Sequence, residues 1–131
     1  LYVEDNPANL ILVEEIVRYC PQLQLLTATD GRLGVEMART HLPQLILMDI
    51  NLPHVNGTDA LNPLRAEPRT AHIPVIALTA NAMPGDVERS MALGFYRYLT
   101  KPINLDEFTE AINSTLAYVA QQRRQKGTGA P

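Results

Sequence analysis

Apolar runs bounded by turn residues alternate along the chain with stretches of helical periodicity. This alternation is typical of successive βα units around a parallel sheet. The strand candidates are residues 1–4, 23–28, 45–49, 75–79 and 96–100. The third and fourth candidates are unbroken apolar runs, which indicates central strands covered by helices on both faces. The sequence therefore predicts an α/β fold built on five parallel strands.

Capping residues indicate where the helices begin. Asn6 precedes Pro7, and a proline costs nothing at the first helical position, so the first helix is predicted to start there. Asp30 would precede a second helix over residues 31–41. A further helix is predicted over residues 84–94, where the final glycine suits a helix end.

Apolar stripes predict which helix faces are buried. The stripe predicted for the first helix consists of Ala8, Ile11, Leu12, Ile16 and Tyr19. The last helix follows Asn104, whose spacing to Glu107 is close to a capping box. Its apolar face is predicted to contain Leu105, Phe108, Ile112, Leu116 and Val119. Pro63 lies inside the helical segment 58–67 and should shorten or kink it, because proline lacks a backbone donor and clashes with the preceding turn.

Length and composition predict a single domain. The chain has 131 residues with 46% apolar content, enough for one sizeable core. The apolar periodicity ends near Gln122, so we predict a domain over residues 1–122 and a flexible tail over residues 123–131.

Charge and cysteine content narrow the possible partners and location. The chain carries 11 Lys and Arg against 14 Asp and Glu, and the net charge of −3 does not favour direct nucleic-acid binding. The single cysteine cannot form an internal disulfide, and no apolar run has the length of a membrane span. We expect a cytoplasmic domain without membrane contact. Because the chain opens with Leu1 inside a strand pattern, we also expect it to be part of a longer polypeptide, which could itself be membrane-anchored.

Polar residues stand at the ends of four predicted strands. Glu4 and Asp5 end the first strand, Asp49 the third and Thr79 the fourth, and Lys101 follows the fifth. In open α/β sheets the ligand crevice lies beyond these carboxyl ends. Three carboxylates there would repel one another unless a cation neutralised them.

A hard divalent cation suits this set of oxygen ligands best. Mg²⁺ could take Asp5, Asp49 and the backbone carbonyl of Asn51 as ligands, with Glu4 acting through water. An aspartate such as Asp49 can attack phosphorus and form an acyl phosphate. Lys101 would then offset charge on the transferred group, while Thr79 could donate a hydrogen bond to its oxygens.

Five short motifs, in order along almost the whole domain, resemble those of response-regulator receiver domains. They are residues 4–6, residues 48–53, Gly57, residues 78–80 and residues 98–102. The resemblance implies a flavodoxin-like (βα)5 fold, a doubly wound parallel sheet with strand order 2-1-3-4-5.

The resemblance also implies roles for the acidic residues. Asp49 matches the phosphoacceptor, and Glu4 and Asp5 match the acidic pair that holds Mg²⁺ or Mn²⁺ together with the acceptor. Asn51 matches the residue whose carbonyl completes the metal site. Asn51 and Asn81 match positions that tune dephosphorylation in this family.

Three further positions match residues that contact or respond to the phosphoryl group. Thr79 and Tyr98 match the switch hydroxyl and the switch aromatic residue, and Lys101 matches the phosphate-contacting lysine. The Lys101–Pro102 peptide bond would be cis. The switch would act on the face formed by the fourth helix, the fifth strand and the fifth helix, through which a homodimer could form.

Residues 3–9 and 78–85 are most similar to receivers fused to sensor histidine kinases. This finer resemblance implies a hybrid kinase, with a histidine kinase or histidine phosphotransfer domain as phosphoryl donor. A stand-alone response regulator is the alternative. Whether the parent chain is itself an enzyme stays open.

Three rival functions share parts of this pattern. A magnesium-dependent phosphohydrolase also uses a strand-end Asp, but it needs an acid/base two residues later, where this chain has Asn51. A flavin-binding electron carrier of the same fold needs a phosphate-binding first loop, whereas Glu4 and Asp5 would repel phosphate. A receiver that only docks partners would not need the acceptor, the acidic pair and Lys101 together.

Overall fold

The computed structural model describes residues 1–21, 23–50, 57–79 and 94–129, with side chains left out for residues 57–60 and 123–129. Strands and helices alternate along these residues. They are β1 (Tyr2–Val3), α1 (Pro7–Arg18), β2 (Thr27–Ala28), α2 (Gly31–His41), β3 (Ile46–Asp49), α3 (Gly57–Ala66), β4 (Val75–Thr79), β5 (Arg97–Thr100) and α4 (Leu105–Gly129). The helix predicted over residues 84–94 lies outside the described residues, apart from Gly94.

The five strands form one parallel sheet in the order β2-β1-β3-β4-β5, which confirms the predicted flavodoxin-like topology. The register pairs Val3 with Met48, Asp49 with Leu78 and Thr79 with Thr100. The strand ends of β1, β3, β4 and β5 therefore lie side by side at one edge of the sheet.

Strand β4 has the predicted bounds, while the other strands are shorter than predicted. The largest difference is in β2, where pairing covers only Thr27 and Ala28 of the predicted segment 23–28. Leu23 and Leu25 of that segment pack against the core without joining the ladder. These two residues are apolar because they pack against the core, and not because they belong to a strand.

The predicted helix caps are confirmed. The Asn6 side chain accepts hydrogen bonds from the backbone N–H groups of Ala8 and Asn9, at 2.9 and 3.3 Å, ahead of Pro7. Asp30 caps α2, and Asn104 accepts from the Glu107 N–H at 3.1 Å. These side chains satisfy backbone donors that have no partner within the helix.

The predicted buried stripe of α1 is largely wrong. Ile11, Leu12 and Tyr19 are 60%, 40% and 81% exposed, and Ala8 is exposed as well. The helix instead buries Val13 and packs Leu10, Ile16 and Val17 against the core. Because apolar residues occur on more than one face of this helix, periodicity alone did not determine which face meets the sheet.

Pro63 does not shorten α3, so the first of its two predicted effects is wrong, while the second, a kink, stays a prediction. The helix continues from Gly57 to Ala66 with Pro63 inside it. A proline in a helix interior costs about 3 kcal/mol. Leu61 and Leu64, on either side of Pro63, are buried in the core, and burial of each contributes about 1.5–3 kcal/mol. Tertiary packing therefore offsets the cost of the proline.

The C-terminal helix α4 packs Phe108 and Ile112 into the core, as predicted, and Leu116 partly so. Leu105, which was predicted on the same face, is 57% exposed. Helical backbone continues beyond Gln122 through residues 123–129, for which the sequence predicts a flexible tail. The tail's flexibility and the domain boundary at 122 stay predictions.

Candidate functional site

The carboxyl edge of the sheet brings the predicted site residues together. Glu4 follows β1, Asp49 ends β3, Thr79 ends β4, and Lys101 follows β5. The backbone N–H of Lys101 donates to the carbonyl of Thr79 at 2.8 Å, which continues the β4–β5 ladder into the site. The Lys101–Pro102 bond is cis, as the family resemblance implies.

Glu4, Asp5 and Asp49 form an acidic trio. One carboxylate oxygen from each residue lies within 4.8 Å of the others. Glu4 and Asp49 are buried, whereas Asp5 is exposed, so the trio is reached from solvent on the Asp5 side. The predicted convergence of these three carboxylates is confirmed.

Lys101 neutralises part of the trio's charge. Its ammonium lies 2.7 Å from Oδ2 of Asp49 and 3.2 Å from Oε1 of Glu4. Partial burial lowers the pKa of Lys101, but the hydrogen bond and charge of Asp49 outweigh this effect and leave the pKa raised. Lys101 therefore stays charged, and three carboxylates face one ammonium.

Glu4 is held by two residues that the sequence analysis did not assign to the site. The Tyr2 hydroxyl and the Asn9 side-chain amide each donate to Oε1 of Glu4 at 2.9 Å. Burial raises the pKa of Glu4 and neighbouring Asp49 raises it further, while hydrogen bonds from Tyr2 and Asn9 act in the opposite direction. Burial and then the charge of Glu4 raise the pKa of Tyr2, which keeps its hydroxyl a donor.

A usable sequence signal existed for Tyr2. In a strand, residues two apart point to the same face, so the Tyr2 side chain lies on the same face as that of Glu4. A buried tyrosine hydroxyl usually finds a partner. No comparable signal points to Asn9, because its contact with Glu4 depends on how α1 packs beside β1.

Thr79 and Tyr98, the predicted switch pair, differ in exposure. Thr79 is buried at the end of β4, while Tyr98 on β5 is 36% exposed. Asn51 and Asn81 lie outside the described residues. Their predicted roles in metal coordination and dephosphorylation stay predictions.

The trio fits a hard divalent cation. Oε2 of Glu4 is buried and has no hydrogen-bond donor among the described residues. A buried charged oxygen without a donor is costly, and a cation with its bound water would relieve that cost. All three side chains offer oxygen ligands, which Mg²⁺, Mn²⁺ and Ca²⁺ prefer to softer ligands such as thiolate sulfur.

Comparison with known families decides the classification. The family described as "Response regulator receiver domain" matches residues 1–113. The chain belongs to this family. It is thus a receiver domain of two-component signalling, and receiver domains interact with histidine kinases or phosphotransfer partners.

Curated relatives include response regulators that the match covers over almost their whole length. This receiver domain is 40% identical over 116 residues to the polar-differentiation response regulator DivK of Brucella anthropi, a match that covers 88% of this chain and 94% of DivK. The DivK protein of Brucella ovis matches with the same identity and coverage.

Solved structures include receivers of kinases. The receiver domain of the sensor histidine kinase PA1611 from Pseudomonas aeruginosa PAO1, determined with a magnesium ion coordinated in its active site cleft, superposes with a TM-score of 0.81 at 34% identity. That match covers 88% of this chain and 94% of the other. The signal receiver domain of a histidine kinase from Syntrophus aciditrophicus gives 0.80 at 29% identity, covering 90% and 89%.

None of the helices in the described part of the chain combines the length and apolar character needed to cross a bilayer.

Proposed function

We propose that Asp49 is the phosphoacceptor of this receiver domain and takes a phosphoryl group from a phosphohistidine with the help of Mg²⁺. The observation that carries the proposal is the acidic trio together with the Lys101 ammonium, 2.7 Å from Oδ2 of Asp49. A nucleophilic carboxylate, a cation site and a fixed positive charge are the parts that phosphoryl transfer requires.

Asp5 and Asp49 would hold the cation directly, and Glu4 would act through a bound water, with the Asn51 carbonyl as a further ligand by family resemblance. When bound, Mg²⁺ would offset the negative charge of the phosphoryl oxygens. The magnesium in the PA1611 receiver supports this choice, and Mn²⁺ offers the same oxygen preference.

The protein's own groups supply the remaining chemistry. A carboxylate oxygen of Asp49 forms the new bond to phosphorus, while the phosphorus–nitrogen bond of the donor breaks and the imidazole leaves with its bonding electrons. Lys101 donates to Asp49 before transfer. Afterwards its ammonium can pair with a phosphoryl oxygen, because the acceptor has lost its charged carboxylate.

The switch would couple this local change to the surface. Thr79, buried beside Asp49 at the strand ends, would donate its hydroxyl to the phosphoryl group, and the exposed Tyr98 ring would move inward. The surface affected is formed by the predicted helix over residues 84–94, by β5 and by the C-terminal helix. Partners, or a second copy of the chain, would bind this surface.

Exposed apolar residues on α1 support docking of a phosphohistidine donor. Ile11 and Leu12 lie on α1, which begins just after the acidic pair, and they are 60% and 40% exposed. A donor histidine must come within bonding distance of Asp49, so its carrier covers this edge of the sheet. Apolar side chains at that position would be desolvated by the carrier.

We further propose that this domain is the receiver of a hybrid sensor histidine kinase and that it acts in the cytoplasm. Two similarities support that setting. The chain is similar to the receiver of the sensor histidine kinase PA1611, and residues 3–9 resemble receivers fused to histidine kinases. The match to DivK favours the alternative, a stand-alone regulator, because it covers 94% of DivK and leaves that protein little beyond its receiver.

Nuclear magnetic resonance with beryllofluoride, a mimic of the phosphoryl group, tests the proposal. Beryllofluoride with Mg²⁺ should shift the backbone signals of Thr79 and Tyr98 in the wild-type domain, whereas Asp49→Asn should show no such shift. Equal shifts in both proteins would reject Asp49 as the acceptor. The matched variant Asp106→Asn, which removes an exposed carboxylate on the C-terminal helix, should respond like the wild type.

A further inference from the structure

The two carboxylate oxygens of Glu4 have opposite environments. Oε1 lies near three donors, which are the Tyr2 hydroxyl at 2.9 Å, the Asn9 amide at 2.9 Å and the Lys101 ammonium at 3.2 Å. Oε2 is buried and has no donor among the described residues. Oε2 is therefore the oxygen of the Glu4 carboxylate that remains available for a further donor.

The Glu4 carboxylate is part of the acidic trio. Glu4 contributes a carboxylate oxygen to the set that lies within 4.8 Å of Asp5 and Asp49. With Oε1 bound to Tyr2 and Asn9, the carboxylate cannot rotate without breaking two hydrogen bonds. A metal-bound water at the trio would supply the donor that Oε2 lacks.

We propose that Tyr2 and Asn9 are positioning residues that hold the Glu4 carboxylate with Oε2 directed at the divalent cation site, and so set the affinity of that site. This inference rests on the metal site of the proposed function. It assigns to these two residues a task beyond filling the core and the first helix turn.

Both donors come from rigid parts of the fold. Tyr2 is a buried residue of β1, hydrogen-bonded through its backbone N–H to the Leu26 carbonyl at 2.8 Å. Asn9 lies in the first turn of α1, where its own N–H is bound by the Asn6 cap. Side chains supported in this way hold a ligand within the narrow tolerance that a metal site needs.

The expected magnitude follows from comparable metal sites. Removing the hydrogen-bond partner of a metal-ligating side chain typically weakens binding by about 10–100-fold. Because Glu4 acts through water, we expect the lower end of that range. Tyr2→Phe and Asn9→Ala should each raise the dissociation constant for Mg²⁺ by about tenfold.

Calorimetric titration of the folded domain with MgCl2 measures this effect without requiring phosphorylation. Tyr118→Phe is the matched control, because it removes a hydroxyl from a half-exposed ring on the C-terminal helix, and it should bind Mg²⁺ like the wild type. Urea denaturation shows that each variant is folded. Asn9→Ser replaces Asn9→Ala if the alanine variant is unfolded.

A double-mutant cycle separates positioning from a merely structural role. Glu4→Gln keeps the shape of the side chain and an oxygen that can accept from Tyr2 and Asn9, but it removes the charged Oε2. In this background Tyr2→Phe should change Mg²⁺ affinity by less than about twofold, because additivity fails for residues that act through one another. A structural effect of Tyr2→Phe on folding would persist in both backgrounds.

The outcomes distinguish this inference from the proposed function. Wild-type binding with unchanged affinity in Tyr2→Phe and Asn9→Ala would overturn the inference and leave the metal site intact. An equal loss in the wild-type and Glu4→Gln backgrounds would also overturn it. Failure of the wild-type domain to bind Mg²⁺ would overturn the proposed metal site and the inference with it.

Discussion

The ammonium of Lys101 lies 2.7 Å from Oδ2 of Asp49, although the two residues are 52 positions apart in the chain. The same ammonium lies 3.2 Å from Glu4, so it links the ends of three strands. One positive charge cannot balance three carboxylates. The site is therefore held together by Lys101 and still attracts a further cation.

The first prediction concerns the removal of that ammonium. Lys101→Met should destabilise the metal-free domain by about 3 kcal/mol, because it removes the ammonium that pairs with two buried carboxylates. It should also tighten Mg²⁺ binding, since the ammonium no longer competes for Oδ2 of Asp49. Urea denaturation and calorimetric titration measure the two effects.

Arg39→Met is the control for the Lys101 variant. Arg39 pairs with Glu67 at 2.6 Å, but both side chains are partly exposed, and such pairs contribute less than about 1 kcal/mol. A loss of stability in Lys101→Met no larger than in the control would contradict the account of the buried pair.

The second prediction concerns repulsion within the trio. Asp5→Asn should raise the stability of the metal-free domain, because it removes one of three clustered like charges. It should also abolish the stabilisation by Mg²⁺, which for the wild type amounts to about 2.7 kcal/mol at a metal concentration 100 times the dissociation constant. Thermal unfolding with and without Mg²⁺ is the measurement.

Asp106→Asn makes the same change of charge on the exposed start of the C-terminal helix and should keep the full response to Mg²⁺. If Asp5→Asn were stabilised by Mg²⁺ as strongly as this control, Asp5 would not be a ligand.

The third prediction concerns the packing that supports β1. A Cβ atom added at Gly34 of α2 would lie 2.7 Å from Cγ2 of Val3, closer than side chains tolerate. Gly34→Ala should therefore cost about 1–3 kcal/mol, whereas the same exchange inside an unconstrained helix stabilises it by about 1 kcal/mol. Urea denaturation measures the change in the free energy of unfolding and so shows whether Gly34→Ala destabilises or stabilises the domain.

Val3→Ala provides the test of cause. Because it removes the methyl group that the new Cβ would meet, the double variant should be less destabilised than the sum of the two single variants. Strict additivity would show that the cost of Gly34→Ala arises elsewhere.

Local sequence signals predicted the parts of the fold that depend on neighbouring residues. Asn6, Asp30 and Asn104 cap helices because their side chains reach backbone donors two or three residues away. Val75–Thr79 has the predicted bounds, since an unbroken apolar run between turns leaves little choice of strand ends.

The wrong predictions depend on tertiary packing. Ile11, Leu12 and Val13 are consecutive apolar residues, so the face of α1 that meets the sheet is decided by the sheet and not by the helix. Pro63 is accommodated because Leu61 and Leu64 are buried around it. Neither arrangement follows from spacing along the chain.

The site was predictable where strand ends carry its residues. A parallel sheet places the carboxyl ends of its strands on one edge. The place of four residues in the site follows directly from this topology: Glu4, Asp5, Asp49 and Lys101. The hydrogen bond from Asn9 to Glu4 was not predictable, because it depends on the distance between a helix and a strand end.

Chemical trapping of the phosphorylated residue tests the central claim most directly. The domain is incubated with acetyl phosphate and Mg²⁺, reduced with borohydride, which converts an aspartyl phosphate to homoserine, and analysed by peptide mass spectrometry. The account predicts homoserine at Asp49, dependent on Mg²⁺ and absent after chelation of the metal. Homoserine at Asp5 or another carboxylate, or no conversion at Asp49, would contradict it.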